Sequence, residues 1–209
     1  MEKFIFDLDG TLMNADFELE SKLLSEMFSS SDEASKVIPY KVKLIEDYER
    51  LFPRYDIDTF RSYFINRTGV DISREFFLEW LRISSNLNDK VIDGVEETLD
   101  YLKSKDKKLV ILSNWFTDVQ VERLKKNGLL HYFDEVYGGD YDLKPREKAF
   151  LRAFGSTSKE KCVMIGDNYL KDFCGALNVG SNALHFNPNG EVIKEKQMIK
   201  RISEIKERY

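Results

Sequence analysis

The sequence predicts an α/β protein with a doubly wound, parallel, five-stranded sheet and an inserted all-helical domain. Glycine is absent between Gly10 and Gly69, and apolar residues recur there with helical spacing. From Val91 onward, short apolar runs alternate with amphipathic segments, as in a parallel sheet covered by helices on both faces. A chain of 209 residues is long enough for one such domain with an insert.

The first strand is predicted to begin at Lys3, within the run FIFDLDGTL from Phe4 to Leu12. Its apolar residues are followed by Asp7 and Asp9, and the chain then turns at Gly10. Because side chains alternate along a strand, the two carboxylates point to the same side. A strand that begins this early leaves no room for a signal peptide, so we expect a cytoplasmic protein.

Residues 15–88 are predicted to form a helical cap domain, and residues 1–14 and 89–209 the α/β core. The cap segment holds 12 of the 27 aromatic residues, enough for a small core of its own. Ser73 is a predicted N-cap, and Pro39 is suited to a helix start. The predicted helices carry four apolar groups: Leu19, Leu23, Met27 and Phe28; Leu44, Ile45, Tyr48 and Leu51; Phe60 and Phe64; Phe76, Phe77, Trp80 and Leu81.

The remaining elements alternate between helix and strand. Asp93 and Glu96 resemble a capping box, and Asn127-Gly128 is typical of a helix end. Helices are predicted through Leu99 and Leu102, through Val121 and Leu124, around Phe150, after Ile165, and at the C-terminus through Met198, Ile202 and Ile205. Strands are predicted at Lys107–Leu112, Phe133–Tyr137, Lys161–Ile165 and Ala183–Phe186.

The composition excludes several classes of protein. The net charge is −5, and the 32 basic residues are scattered, so we expect no nucleic-acid partner. No apolar run approaches the ~18 residues of a membrane helix, so we expect no membrane association. Cys162 and Cys174 are predicted to be reduced, since two cysteines without a secretory signal rarely form a disulfide.

Polar residues follow four of the predicted strands. The carboxyl ends of parallel strands form one edge of a sheet, where ligands bind. Each residue alone has a structural explanation as a turn, a cap or a solvated lysine. Together they suit one reaction on a phosphate group. The strand-end residues are Asp7 and Asp9; Ser113 and Asn114; Lys144; and Asp167 with Asn168 and Asp172.

The segments FDLDGTL, LSN, LKP and GDNYLKD, in this order, resemble the four motifs of the haloacid dehalogenase superfamily in its phosphatase branch. This resemblance implies a Rossmann-like core with a helical cap of the C1 type. The segment from Asn114 to Pro145 and the four-residue gap in GDNYLKD are similar to the nucleotidase and acylneuraminate-phosphatase subgroup.

The resemblance also implies a role for each motif residue. Asp7 would attack phosphorus and form an aspartyl phosphate. Asp9 would protonate the leaving oxygen and later deprotonate the attacking water. The implied substrate-binding and phosphate-binding residues are Gly10, Ser113, Asn114 and Lys144.

A divalent cation is predicted from the charges. Four aspartates and one lysine would surround a phosphate dianion, and two like charges ~4 Å apart repel by about 4 kcal/mol at an effective dielectric of 20. Carboxylate oxygens favour Mg²⁺. By resemblance, its ligands are carboxylates of Asp7 and Asp167 and the main-chain carbonyl of Asp9, while Asn168 or Asp172 holds its waters.

The sequence therefore predicts a Mg²⁺-dependent phosphomonoester hydrolase that acts on a small phosphorylated metabolite. Two alternatives stay open: a phosphosugar mutase with the same motifs, and a non-catalytic protein that binds a phosphorylated ligand. A dehalogenase needs no acid for a leaving oxygen and no metal, so it would leave Asp9 and the acidic fourth motif unexplained.

Overall fold

The computed structural model describes residues 1–190 and 197–209. Its main sheet has the strand order β5-β4-β1-β6-β7-β8, and every neighbouring pair is parallel. The predicted fold class is confirmed, with six strands in place of five. The strands of the described residues are β1 (Lys3–Phe6), β2 (Met13–Asn14), β3 (Lys90–Val91), β4 (Lys108–Leu112), β5 (Glu135–Tyr137), β6 (Cys162–Gly166), β7 (Asn182–Phe186) and β8 (Met198–Ile199).

Helices cover both faces of this sheet and fill the segment between β2 and β3. One of them, α2, is absent from the sequence prediction. A π-helical turn at Tyr169–Cys174 precedes α9. The α-helices are α1 (Phe17–Glu26), α2 (Ser31–Val37), α3 (Lys41–Leu51), α4 (Ile57–Thr68), α5 (Arg74–Ser85), α6 (Val95–Ser104), α7 (Thr117–Lys126), α8 (Glu147–Phe154), α9 (Gly175–Asn178) and α10 (Ile205–Arg208).

Both faces of the sheet are buried because the central strands β1, β4 and β6 are apolar apart from Lys3 and Lys108, which begin β1 and β4. In β1, Phe4 and Phe6 pack on the side of α6 and α10, whereas Ile5 packs on the opposite side with Phe150 of α8. This alternation gives three layers, helix, sheet and helix, as expected for parallel strands buried on both faces.

The segment that contains α1 to α5, called the insert here, has an aromatic core. Tyr48, Phe60, Phe64, Phe77 and Trp80 are at most 2% exposed, and their rings form a continuous network of contacts. The two chain segments that join the insert to the core lie side by side, because β2 and β3 pair as a short antiparallel ladder. The sequence prediction did not include this ladder.

Two of the predicted helix ends are confirmed and one is wrong. Ser73 accepts a hydrogen bond from the Phe76 amide at 3.1 Å, and α7 ends before Gly128, whose φ is +71°. The predicted capping box of Asp93 and Glu96 is wrong, since α6 begins after Gly94 without a side-chain cap. Gly94 has a φ of +82°, so the left-handed turn that it permits replaces the cap.

The predicted C-terminal helix is also wrong in part. Met198–Ile199 forms β8, which extends the sheet beyond β7, and α10 begins only at Ile205. The spacing of Met198, Ile202 and Ile205 fits a helix, but the exposed edge of β7 offers hydrogen bonds to an extended segment that short-range periodicity does not reveal.

No helix of the described residues is long and apolar enough to cross a membrane. Both cysteines are free thiols.

Candidate active site

The polar residues that follow β1, β4 and β6 meet in one cavity because these strands are neighbours in the sheet. The cavity has a volume of about 430 Å³. Its floor carries Asp7, Asp9, Ser113 and Asp167 from the strand ends, and Lys144 from the loop after β5. Helices of the insert form the opposite wall. The structure thus brings together the residues that the sequence placed at four strand ends.

Three carboxylates lie close enough to share one cation. Asp7, Asp167 and Asp172 each place an oxygen within 4.8 Å of the others. The Lys144 Nζ donates to Asp7 Oδ1 at 2.8 Å and to Asp172 Oδ1 at 2.6 Å, and the Asn168 amide donates to Asp172 Oδ2 at 3.1 Å. Both oxygens of Asp172 are therefore engaged. Asp167 has no ion-pair partner among the described residues, and its side chain is open to the cavity.

Excess negative charge is visible in the pKa values of this cluster. Burial raises the pKa of Asp7 to about 7; Asp172 and Asp9 add to this rise, and Lys144 opposes it. Desolvation and then Asp7 raise the pKa of Asp167 to about 6, and burial raises that of Asp172. Burial lowers the pKa of Lys144, but Asp172 and Asp7 outweigh it, so the net shift is upward. One lysine does not balance three carboxylates, and the all-oxygen donor set fits a hard divalent cation.

Gly10 lets the turn after β1 lie directly against Asp167. Its φ is +76°, and a Cβ at this position would lie 2.5 Å from Asp167 Oδ2, so a side chain is excluded on both counts. Thr11 is fully buried, and its Oγ1 accepts a hydrogen bond from the Asp167 amide at 3.0 Å. His185 Nε2 lies 2.9 Å from the main-chain oxygen of Asp167. These contacts fix the backbone of the fourth motif against the first.

The Asp9 carboxylate is not part of the cluster of Asp7, Asp167 and Asp172, and it contacts α7. Arg123 Nη2 and Nη1 donate to Asp9 Oδ1 and Oδ2 at 2.6 and 3.0 Å, and Gln120 Nε2 lies 3.2 Å from Oδ2. Arg123 also donates to the buried Asp89, with Nη2 2.8 Å from Oδ1. Burial lowers the pKa of Arg123, but the carboxylates of Asp9 and Asp89 outweigh this effect, so the net shift of the pKa is upward.

Sequence reasoning missed Arg123 and Gln120. The signal that could have identified them is their position on α7. Gln120 and Arg123 are three residues apart, next to the apolar Val119 and Leu124, and both are at most 2% exposed. A charged residue on the apolar face of a helix requires a buried partner.

Ser113 and Asn114 differ in what they contact. Ser113 Oγ accepts a hydrogen bond from Gln120 Nε2 at 2.7 Å, next to Asp9. Asn114 holds the main chain of Lys144: its Oδ1 accepts from the Lys144 amide at 2.8 Å, and its Nδ2 donates to the Lys144 carbonyl at 3.1 Å. Asn114 therefore positions Lys144 in the site.

Glu49, which the sequence analysis did not select, joins the insert to the core. Its Oε2 accepts from Lys171 Nζ at 2.6 Å and from Asn114 Nδ2 at 3.0 Å, and its Oε1 accepts from the Tyr55 hydroxyl at 3.0 Å. Asn168 Oδ1 caps the π-helical turn that carries Lys171. The insert and the fourth motif are thus linked through one buried carboxylate.

Known proteins resemble this chain over most of its length. The family model for haloacid dehalogenase-like hydrolases matches residues 4–185. The chain is 26% identical over 197 residues to pyrimidine 5'-nucleotidase PynA of Streptococcus pneumoniae, covering 88% of this chain and 83% of that protein. It is 33% identical over 172 residues to pyrophosphatase PpaX of Listeria monocytogenes, covering 79% and 74%.

A similar solved structure is the HAD-hydrolase YfnB of Bacillus subtilis, determined bound to magnesium. Its TM-score is 0.74 at 22% identity, with 99% of this chain and 97% of that chain covered, which supports the fold. With the family model, the two relatives and the convergence of the four motifs in one cavity, the chain belongs to the haloacid dehalogenase-like hydrolases, in the phosphatase branch of that family.

Proposed function

We propose that this protein is a Mg²⁺-dependent phosphomonoester hydrolase that acts on a small phosphorylated metabolite through an aspartyl phosphate on Asp7. The observation that carries the proposal is the cluster of Asp7, Asp167 and Asp172 around Lys144 at the sheet edge. PynA and PpaX are named for different substrates, a pyrimidine nucleotide and pyrophosphate, but both names describe hydrolysis of a phosphate compound.

The donor set fits Mg²⁺. Carboxylates of Asp7 and Asp167 and the main-chain carbonyl of Asp9 would hold the ion, and Asp172 and Asn168 would hold its waters. Asp172 suits the outer position because Lys144 and the Asn168 amide already occupy its oxygens. When bound, the ion neutralises charge on the phosphoryl group and favours the ionised form of Asp7.

In the first step, a carboxylate oxygen of Asp7 forms a bond to phosphorus, and the bond from phosphorus to the ester oxygen breaks. Asp9 gives its proton to that oxygen, so the alcohol leaves neutral. Lys144, 2.8 Å from Asp7, faces the charge of the transferring group. The structure shows Asp9 paired with Arg123, and its acid form requires a weaker contact with that guanidinium.

In the second step, Asp9 is the base. It takes a proton from a water that attacks phosphorus, the bond between phosphorus and Asp7 breaks, and inorganic phosphate leaves. The contact of the Asp9 carboxylate with Arg123 would favour the base form that this step requires. Ser113 and the backbone at Gly10 lie where they would contact phosphoryl oxygens, and Asn114 supports Lys144.

We also propose that residues 15–88 act as a cap over the core of residues 1–14 and 89–209. The insert forms one wall of the cavity, so it would exclude bulk water and contact the organic part of the substrate. The free thiols of Cys162 and Cys174 are compatible with work in the cytoplasm.

The test is phosphate release from p-nitrophenyl phosphate and from a panel of phosphorylated metabolites, with MgCl₂, with EDTA, and with EDTA followed by excess MgCl₂. We expect turnover that EDTA abolishes and Mg²⁺ restores. A mutase would move phosphate within a sugar without releasing it, and a binding protein would show neither reaction. Turnover that persists in EDTA would refute the metal requirement.

A further inference from the structure

The insert wall of the cavity is not needed for the chemistry at Asp7, yet it contains a buried polar cluster. Glu20 is at its centre: its Oε1 accepts from Trp80 Nε1 at 3.1 Å and from Ser84 Oγ at 2.6 Å, and its Oε2 accepts from Lys41 Nζ at 2.5 Å. All four side chains line the cavity and belong to residues that are at most 5% exposed.

Among the described residues, both lysines that line this side of the cavity are already paired. Lys41 pairs with Glu20, and Lys171 of the core pairs with Glu49 at 2.6 Å. Glu46 lines the same region, is exposed, and has no ion-pair partner among the described residues. Three carboxylates, Glu20, Glu46 and Glu49, therefore lie on this side with two lysines, which gives a net charge of −1. A second phosphate or a carboxylate on the substrate would meet no lysine there that lacks a carboxylate partner.

Apolar side chains surround the polar cluster. Phe17 and Val42 are 51% and 65% exposed, although both are large and apolar, and they line the cavity with Ile45 and Leu87. Exposed apolar side chains that rim a concave site are typical of a surface that a ligand covers. The volume of about 430 Å³ lies within the range of small-molecule sites.

We propose that the insert wall binds the uncharged organic part of a phosphate monoester, one that has an apolar face and hydrogen-bonding groups, and that it disfavours any second anionic group. The substrate class is then a monophosphate of a neutral alcohol of nucleoside size. Inorganic pyrophosphate, bisphosphates and phosphorylated carboxylic acids are poor substrates. This inference rests on the proposed function and specifies its substrate.

The first experiment compares kcat/KM for uridine 5'-monophosphate, ethyl phosphate, 3-phosphoglycerate and pyrophosphate at saturating Mg²⁺. We expect the nucleotide to exceed pyrophosphate and phosphoglycerate by at least about 100-fold. Equal or better turnover of either doubly anionic substrate would overturn the inference and leave the phosphatase intact. Absence of turnover with every ester, p-nitrophenyl phosphate included, would refute the phosphatase itself.

The second experiment changes the charge of the wall. Glu46→Lys adds an unpaired cation at an exposed position, where we expect the substitution to leave the fold unchanged. We expect the ratio of kcat/KM for pyrophosphate over uridine 5'-monophosphate to rise about 10-fold. Glu26→Lys is the matched control, because Glu26 is an exposed insert residue outside the cavity lining and gives the same charge change. An equal effect of both variants, or no effect of Glu46→Lys, contradicts the inference.

The third experiment removes apolar surface. Phe17→Ala should raise the KM for uridine 5'-monophosphate about fivefold and leave the KM for ethyl phosphate unchanged, since only the larger alcohol reaches the wall. Leu78→Ala, at a 44% exposed insert position outside the cavity lining, should change neither value. A KM increase that is the same for both esters would show that Phe17 does not contact the alcohol.

Discussion

The two walls of the cavity carry charge in different ways. On the core wall, Asp7 and Asp172 share Lys144 while Asp167 has no ion-pair partner among the described residues, so negative charge is in excess; burial, with the neighbouring carboxylates, raises the pKa of Asp7 to about 7. On the insert wall, each buried carboxylate has a lysine partner: Glu20 pairs with Lys41, and Glu49 pairs with Lys171 of the core. Under the proposed function the core wall would gain a cation and a phosphate, whereas the buried charges of the insert wall already balance each other.

This contrast indicates which wall governs the chemical reaction and which wall governs the choice of substrate. The excess charge of the core wall makes it responsive to metal, pH and substrate. The paired charges and aromatic packing of the insert wall make it a rigid surface. Variants of the core wall should therefore change the chemistry, and variants of the insert or of its contacts should change mainly which substrate is bound.

The sharpest test of the core wall is Asp7→Asn. An amide of the same shape can still accept from Lys144 but cannot attack phosphorus, so kcat should fall by at least about 10³-fold. The measurement is phosphate release at saturating Mg²⁺, with circular dichroism to verify the fold. Asp142→Asn, at an aspartate outside the cavity lining that pairs with Arg152, should keep full activity. Retained activity in Asp7→Asn would remove Asp7 from the nucleophile role.

A second test concerns how Asp9 is held. Arg123→Met combined with Asp89→Leu removes the guanidinium and the buried carboxylate that would otherwise lose its ion-pair partner. We expect about a 10²-fold lower kcat with ethyl phosphate, because Asp9 loses its position, and a much smaller loss with p-nitrophenyl phosphate, whose leaving group needs little protonation.

The comparison of the two esters distinguishes a role of Arg123 in positioning Asp9 from a role in the stability of the fold. Arg152→Met removes a surface arginine and should leave both rates unchanged. If the double variant loses the same factor with both esters, Arg123 contributes to the fold and not to the action of Asp9.

The pH dependence of stability offers a third test. In the metal-free protein the pKa of Asp7 is raised to about 7 from its ordinary value of 3.8. The folded state then binds more protons than the unfolded state between these values, so the free energy of unfolding should fall as pH rises from 4 to 7. Thermal unfolding in EDTA at pH 5 and pH 8 measures this loss, which should exceed about 1 kcal/mol.

Asp7→Asn cannot ionise and should show a flatter pH profile, with a higher melting temperature than the native chain at pH 8. Saturating Mg²⁺ should remove most of this difference, because the ion stabilises the ionised carboxylates. A native profile as flat as that of the variant would contradict the charge excess of the core wall.

The smallest expected effect is at the contact between the two walls. Glu49→Gln preserves the shape of the side chain but weakens its charge-assisted hydrogen bond to Lys171. We expect KM to rise by about threefold, with kcat changed less than twofold. Steady-state kinetics measure both, and Glu18→Gln, at an exposed position of the insert, is the control. A large loss of kcat would place Glu49 in the chemistry of the core wall.

Residues of the core wall could be predicted because they follow strands directly. Asp7 and Asp9 directly follow β1, and the adjacent parallel strands β4 and β6 bring Ser113 and Asp167 to the same edge. The positions of these residues depend on where each strand ends, which short sequence motifs indicate. Even so, the sequence did not show that Asp9 contacts Arg123, since α7 could rotate about its axis without any change in the motif.

The insert wall could not be predicted because its contacts join residues of three separate helices. Glu20 of α1 meets Lys41 of α3 and Trp80 of α5, and no periodicity relates these positions. The sequence predicted that helices with aromatic faces occur here, but not which polar residues would be enclosed among them. The β8 strand was missed for a similar reason, because the partner of Met198 is His185 in β7.

By itself, the sequence determined the α/β class, the helical insert and the motif residues at the strand ends, and it led to the expectation of a divalent cation, since strand alternation, helix period and local charge are short-range properties. Only the tertiary structure decided that Lys144 bridges Asp7 and Asp172, that Arg123 holds Asp9, and that Glu20 and Lys41 neutralise each other in the opposite wall. These pairings depend on the packing of elements that are distant in the chain. Burial lowers the local dielectric constant, so the electrostatic attraction within each pair is stronger than it would be in water.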